Sequence, residues 1–173
     1  GTCPLSKKRG WNALELQMDW LKRVSEYAVN HGRTPVFWDD MVFKQVGLYA
    51  AILDQISPEQ VDSVWNVHLP ELNKHIRSFP KEVVYMRWQY GNANQPGNKK
   101  ALKWYYDNGL RVMGATAAQT TYAMMPFGGF VENIRSFQIA RKEVPVEGVL
   151  CTAWDDASPM FDTFWPGFIA LAL

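Results

Sequence analysis

Cysteine, histidine and net charge are all scarce in this chain, and each shortage removes a class of function. There are two cysteines among 173 residues, Cys3 near the start and Cys151 inside an apolar run, and three histidines. One cysteine pair at that separation builds neither a disulfide framework nor a metal-ligand spacing, so both are read as free thiols. His68 and His75 have no third ligand spaced to join them, which argues against a zinc site. A formal net charge of +1, with no basic cluster beyond Lys7-Lys8-Arg9, offers little attraction for nucleic acid or an anionic membrane, so neither is expected as a partner. Apolar runs such as Phe168 to Leu173 are far shorter than the roughly 20 residues that cross a bilayer. Neither a basic-then-apolar leader nor a strand followed by Gly-x-Gly-x-x-Gly is found, so no targeting signal and no dinucleotide cofactor are read.

What remains is apolar and aromatic. Hydrophobic residues make up 47% of the chain and charged ones 20%, the balance of a single domain with a real core, and eight residues are tryptophan. From Trp11 to His31 the residues Leu14, Met18, Leu21, Val24 and Ala28 recur at three- and four-residue steps, which predicts an amphipathic helix stopped by Gly32. Thr34 to Trp38 then reads as a buried strand ending in Asp39-Asp40. Helical spacing over Val46 to Asn66, broken at Ser57-Pro58, is followed by an expected short helix from Pro70 to Phe79. Glu82 to Tyr90 predicts a second strand running into the turn-rich loop Gly91 to Gly97, after which Asn98 is placed as the cap of a helix ending at Asn108-Gly109. Arg111 to Ala115 is the third strand, Thr116 to Phe127 a long loop, Gly129 to Lys142 a helix, Gly148 to Trp154 the fourth strand, and a last helix follows Pro166.

Buried strands alternating with helices predict parallel βαβ units, because a parallel pair needs a crossover and a helix is the usual one. The fold class is therefore α/β, with a closed barrel favoured over a doubly wound sheet by the missing dinucleotide turn.

In such a barrel, chemistry sits at the carboxyl ends of the strands. Trp38 precedes Asp39-Asp40, Trp88 precedes Gln89-Tyr90, and Trp154 precedes Asp155-Asp156, so three of four strands end in an indole followed by hydrogen-bonding side chains. A pyranose has apolar C–H faces that stack on indoles and a hydroxyl rim that bonds to carboxylates. The blander reading is that each Trp caps a barrel layer and each Asp caps the next helix. Trp11, Trp20 and Trp104, inside expected helices, are assigned to packing.

The strings Pro35-Val36-Phe37-Trp38-Asp39-Asp40-Met41, Val83-Val84-Tyr85-Met86-Arg87-Trp88 and Gly148-Val149-Leu150-Cys151-Thr152-Ala153-Trp154-Asp155-Asp156 resemble the later strands of glycoside hydrolase family 20, the β-N-acetylhexosaminidases, most closely its hexosaminidase D-like branch. The resemblance covers nearly all of residues 1–173, as strands five to eight of a (β/α)8 TIM-type barrel, with Gly1-Thr2-Cys3-Pro4 similar to the loop after the fourth strand. It implies removal of terminal β-linked N-acetylhexosamine from a glycan by substrate-assisted retaining hydrolysis, in which the substrate's acetamido oxygen attacks the anomeric carbon and a Glu acid is oriented beside an Asp. No cofactor is implied. No Asp-Glu dipeptide occurs among these residues, so the pair is expected just upstream of Gly1, in the missing N-terminal half of the barrel, and this segment alone is expected to be inactive.

Carried over by position, Trp38, Trp88 and Trp154 wall the acetamido pocket, Asp39 lies at the same rim, Tyr122 bonds the acetamido oxygen, and Asp156 binds sugar hydroxyls. Two departures bear on hydroxyl specificity: Met124 stands where relatives carry an acid, and Asp156 where they carry Glu. Family relatives that act on glycans outside the cytoplasm imply a periplasmic or secreted location. Two alternatives compete: a non-catalytic sugar-binding barrel protein, and a metal-assisted hydrolase using Asp39, Asp40, Asp155 and His68. Half a barrel leaves open sheet edges and an exposed core, so the segment is expected to be stable only with the missing strands.

Overall fold

The computed structural model describes residues 4–119, 127–154 and 161–173. In chain order the elements are α1 (Pro4–Arg9), α2 (Ala13–Asn30), β1 (Val36–Trp38), α3 (Asp40–Gln45), α4 (Tyr49–Ile52), α5 (Pro58–Lys74), β2 (Val84–Trp88), α6 (Pro96–Asp107), β3 (Arg111–Gln119), α7 (Phe127–Glu143), β4 (Val149–Ala153) and α8 (Trp165–Ala172). The strands form one sheet in the order β1-β2-β3-β4, with every neighbouring pair parallel. This α/β architecture is compatible with part of a barrel.

Local chemistry explains most boundaries. The Asn12 side chain accepts the Glu15 N–H at 2.8 Å while the Glu15 carboxylate accepts the Asn12 N–H at 2.7 Å, a reciprocal cap that starts α2. Leu14, Met18, Leu21 and Ser25 form the buried stripe of that helix. It ends where Gly32 takes φ +67° and the Arg33 and Gly32 amides donate back to the Ala28 and Val29 carbonyls.

Of four departures from the sequence expectations, the first three have physical causes. α5 runs unbroken through Pro70, which removes one helical N–H, because Val61, Trp65 and Leu72 are buried along one face on both sides of it. α6 starts at Pro96, so Asn98 lies inside the helix, where its side-chain amide donates to the Ala93 carbonyl at 2.7 Å. β3 continues to Gln119, beyond the expected Ala115, because tertiary contacts capture a segment of weak strand propensity. Trp104 packs as expected, but Trp11 and Trp20 are exposed.

Side-chain alternation divides the sheet into two faces. Phe37, Tyr85, Val112 and Val149 belong to the main core with Phe43, Trp65, Leu102, Tyr105 and Phe137 from the helices. Contact on this face is close: a Cβ on Gly114 would lie 2.7 Å from the Phe137 ring, and one on Gly167 would lie 2.5 Å from the Ala118 Cβ. The opposite face carries Val36, Trp38, Met86, Trp88, Met113, Ala115, Leu150 and Thr152, by register and alternation. It stays open at both edges, where Val36 is 57% and Leu150 42% exposed.

Candidate functional site at the carboxyl ends of the strands

Trp38, Trp88 and Trp154 converge on the open face. In a flat sheet three strand spacings would hold β1 and β4 about 14 Å apart. The Trp38 and Trp154 ring centroids are nevertheless 6.3 Å apart, inclined at 44°. The alanines at 115 and 117 in β3 leave room beneath: both are fully buried, and Ala115 is the register partner of Trp88. Trp38 and Trp154 remain 39% and 36% exposed, so the ring system presents a surface rather than a packed layer.

Tyr90 joins the three indoles; the sequence marked it as a hydrogen-bonding neighbour of Trp88 but not as a site residue. Its ring lies 5.1 Å from Trp88 and 6.5 Å from Trp154, and its hydroxyl oxygen accepts the Trp154 Nε1–H at 2.8 Å. Burial raises the Tyr90 phenol above its ordinary pKa, against the opposing hydrogen bonds of Thr152 and Trp154, so the group is neutral. The signal for Tyr90 was available in principle: two residues beyond Trp88, it falls on the same face of an extended chain.

Asp39 does not join this group. It is fully buried, with Oδ1 3.1 Å and Oδ2 3.3 Å from Nη1 of the equally buried Arg87. Burial lifts the Asp39 carboxyl from 3.8 to about 7, with Arg87 pulling it down and Asp40 pushing it further up. The Arg87 guanidinium also donates through Nε, at 3.0 Å, and through Nη2 to the Trp88 carbonyl. The other two sequence-predicted residues, Tyr122 and Asp156, lie outside the described residues, as do Cys3 and Asp155.

Behind the wall, a polar network holds the loop after β2. Asn133 of α7 donates to the Gln89 and Gly91 carbonyls at 2.7 and 2.6 Å, and its side-chain oxygen accepts the Thr116 hydroxyl and, at 3.3 Å, the Ala117 N–H. Ser136 accepts the Ala93 N–H at 2.8 Å. Asp54, the one described non-glycine residue with positive φ (53°), accepts the Gly97 N–H at 3.1 Å and so caps α6 from a distant segment. A Cβ at Gly97 would fall 1.8 Å from the Ala51 carbonyl oxygen, which makes glycine obligatory there. The network was invisible in the sequence because its partners are 16 to 44 residues apart.

Among the described residues no three of His, Cys, Asp or Glu come together as metal ligands. His68 lies instead against Gly47, where an added Cβ would sit 2.8 Å from the ring. No described helix is long and apolar enough to cross a membrane.

The chain matches no family model, no curated protein and no solved structure.

Proposed function

We propose that this chain is the C-terminal half of a (β/α)8-barrel glycoside hydrolase of the β-N-acetylhexosaminidase type. The observation that carries the reading is the convergence of Trp38, Trp88, Tyr90 and Trp154 at the carboxyl ends of parallel strands, on the open face. Indole faces stack on the C–H surface of a pyranose, and the Tyr90 hydroxyl supplies a polar atom within the wall. In the substrate-assisted scheme the 2-acetamido oxygen is the nucleophile, so the wall's task is to hold the acetamido group under the anomeric carbon and keep water away from it. The acid is an Asp-Glu pair contributed by another part of the barrel.

A second reading, a sugar-binding protein without hydrolytic chemistry, draws on the same aromatic wall. The Asp39 carboxyl, turned into the core against Arg87, serves neither reading, so hydrolysis is what separates them.

The test is hydrolysis of an aryl β-N-acetylglucosaminide by the protein that carries this chain, beside its Trp154→Ala variant. Hydrolysis that falls at least about tenfold in the variant supports the hexosaminidase reading. An inert parent that binds N-acetylglucosamine supports the second, and an inert parent that binds no sugar removes both.

A further inference from the structure

We infer that Arg87 and Asp39 are the positioning pair of the aromatic wall, setting the separation of Trp38 and Trp88 from behind the sheet. The inference rests on the proposed reading only in making that wall a sugar site.

Asp39 directly follows Trp38 at the end of β1, and Arg87 directly precedes Trp88 at the end of β2. By alternation, each polar residue points to the helix face while its tryptophan points to the open one. One guanidinium then makes two attachments: Nη1 to the Asp39 carboxylate, donating to Oδ2 at 3.3 Å with Oδ1 at an ion-pair distance of 3.1 Å, and Nε with Nη2 to the Trp88 carbonyl. The Asp39 N–H also donates to the Met86 carbonyl at 3.3 Å, so β1 is tied to β2 through backbone and side chain at the same level. Neither side chain has any exposed surface, and water cannot replace either attachment. The guanidinium carbon further lies 5.7 Å from the centre of the Trp88 ring.

Moving either indole along its strand end therefore requires breaking a bond to Arg87. Beyond β2, the Trp88 ring meets Tyr90, and the Tyr90 hydroxyl meets Trp154, so a displacement at Arg87 propagates across the wall. A planar guanidinium is suited to this double attachment and a lysine is not, because one ammonium cannot serve carboxylate and carbonyl in the same fixed fork.

The experiment follows the wall by circular dichroism at the strong far-ultraviolet band of indole, where two close, inclined indoles such as Trp38 and Trp154 give a split signal. The wild-type protein carrying the chain should show that signal, and Trp38→Phe or Trp154→Phe should abolish it. In Arg87→Lys, which keeps the charge opposite Asp39, the helical bands of the spectrum and cooperative melting should persist. The split signal should fall by more than half, and the Kd for N-acetylglucosamine should rise about tenfold, the loss of roughly one aromatic contact. A folded Arg87→Lys protein with an unchanged split signal overturns the inference, as does a wild type that shows no such signal. If Arg87→Lys does not fold, Arg87→Gln, whose single amide cannot serve Asp39 and the Trp88 carbonyl together, is read the same way: a diminished signal supports the pair's role, an undiminished one refutes it. A wild type that binds no N-acetylglucosamine but loses its split signal in Arg87→Lys leaves the positioning inference standing and removes the sugar reading.

Discussion

The two faces of the sheet are built on opposite terms. Toward the helices, Tyr85, Val112, Gly114, Thr116 and Ala118 are buried or in close contact, and polar atoms such as the Thr116 hydroxyl find partners on α7. Toward the open side, Met86, Ala115 and Ala117 are buried at the centre, but at the edges and carboxyl ends Val36, Trp38, Leu150 and Trp154 keep a third to more than half of their surface exposed. The same strands, alternating residue by residue, thus present a helix-covered side and a side whose edges and carboxyl ends stay exposed. Substitutions at adjacent positions should therefore have effects of different kinds.

The largest effect is expected at Gly114. A leucine there must occupy the space of the Phe137 ring, 2.7 Å from the first added carbon, and should cost about 3 kcal/mol or more, read as a large fall in Tm or no folded protein. Leu150→Ala, on the open face of the neighbouring strand, should cost under about 1 kcal/mol because the side chain is already 42% exposed. Equal losses for the two variants would mean that both faces are packed alike. Next in size is Asn133→Ala, which strands the Gln89 and Gly91 carbonyls inside the fold and should cost about 2 to 3 kcal/mol by thermal or denaturant melting. If Asn133→Ala melts like the wild type, the loop after β2 is held by Ser136 and Asn98 without it.

The sequence exposed this division unevenly. The helix face was legible where periodicity is strong: Leu14, Met18 and Leu21 mark α2, and the short apolar runs around Phe37, Tyr85, Val112 and Leu150 mark all four strands of a parallel α/β sheet. β3 was cut short because Ala115, Ala117 and Ala118 carry almost no strand preference; Gly167, Asn133 and the indoles above the sheet select that conformation. At the site, the three tryptophans were legible because indoles repeated at strand ends are conspicuous. Asp39 was grouped with them because linear order places it beside Trp38, whereas alternation turns it to the opposite face. Arg87 carried no warning at all, since a charged residue inside an apolar strand has meaning only once its partner 48 positions away is known.

The smallest effect, and the one that sharpens the comparison most, is the pH dependence that Asp39 gives to the sealed side. Its carboxyl titrates near 3.8 when exposed and at about 7 in the fold, because burial outweighs the attraction of Arg87 and Asp40 adds repulsion. Between those values the folded state binds more protons than the unfolded one, so stability is greatest on the acid side and falls as pH rises toward 7. Glu71 and Glu147, lowered by Lys74 and Arg111, act in the opposite sense but below their ordinary value of 4.5, whereas Asp54, raised by burial, acts in the same sense as Asp39, so the contribution of Asp39 is the part of the fall that Asp39→Asn removes. Tm should fall steadily from pH 5 to 7 in the wild type and less steeply in Asp39→Asn, which cannot titrate at position 39 and resembles the protonated acid in shape. A wild-type Tm that is already flat would mean that Arg87 outweighs burial and keeps Asp39 ionised throughout. The pair would then hold the strand ends as a fixed ion pair, and the wall would keep its geometry at every pH at which the protein is folded.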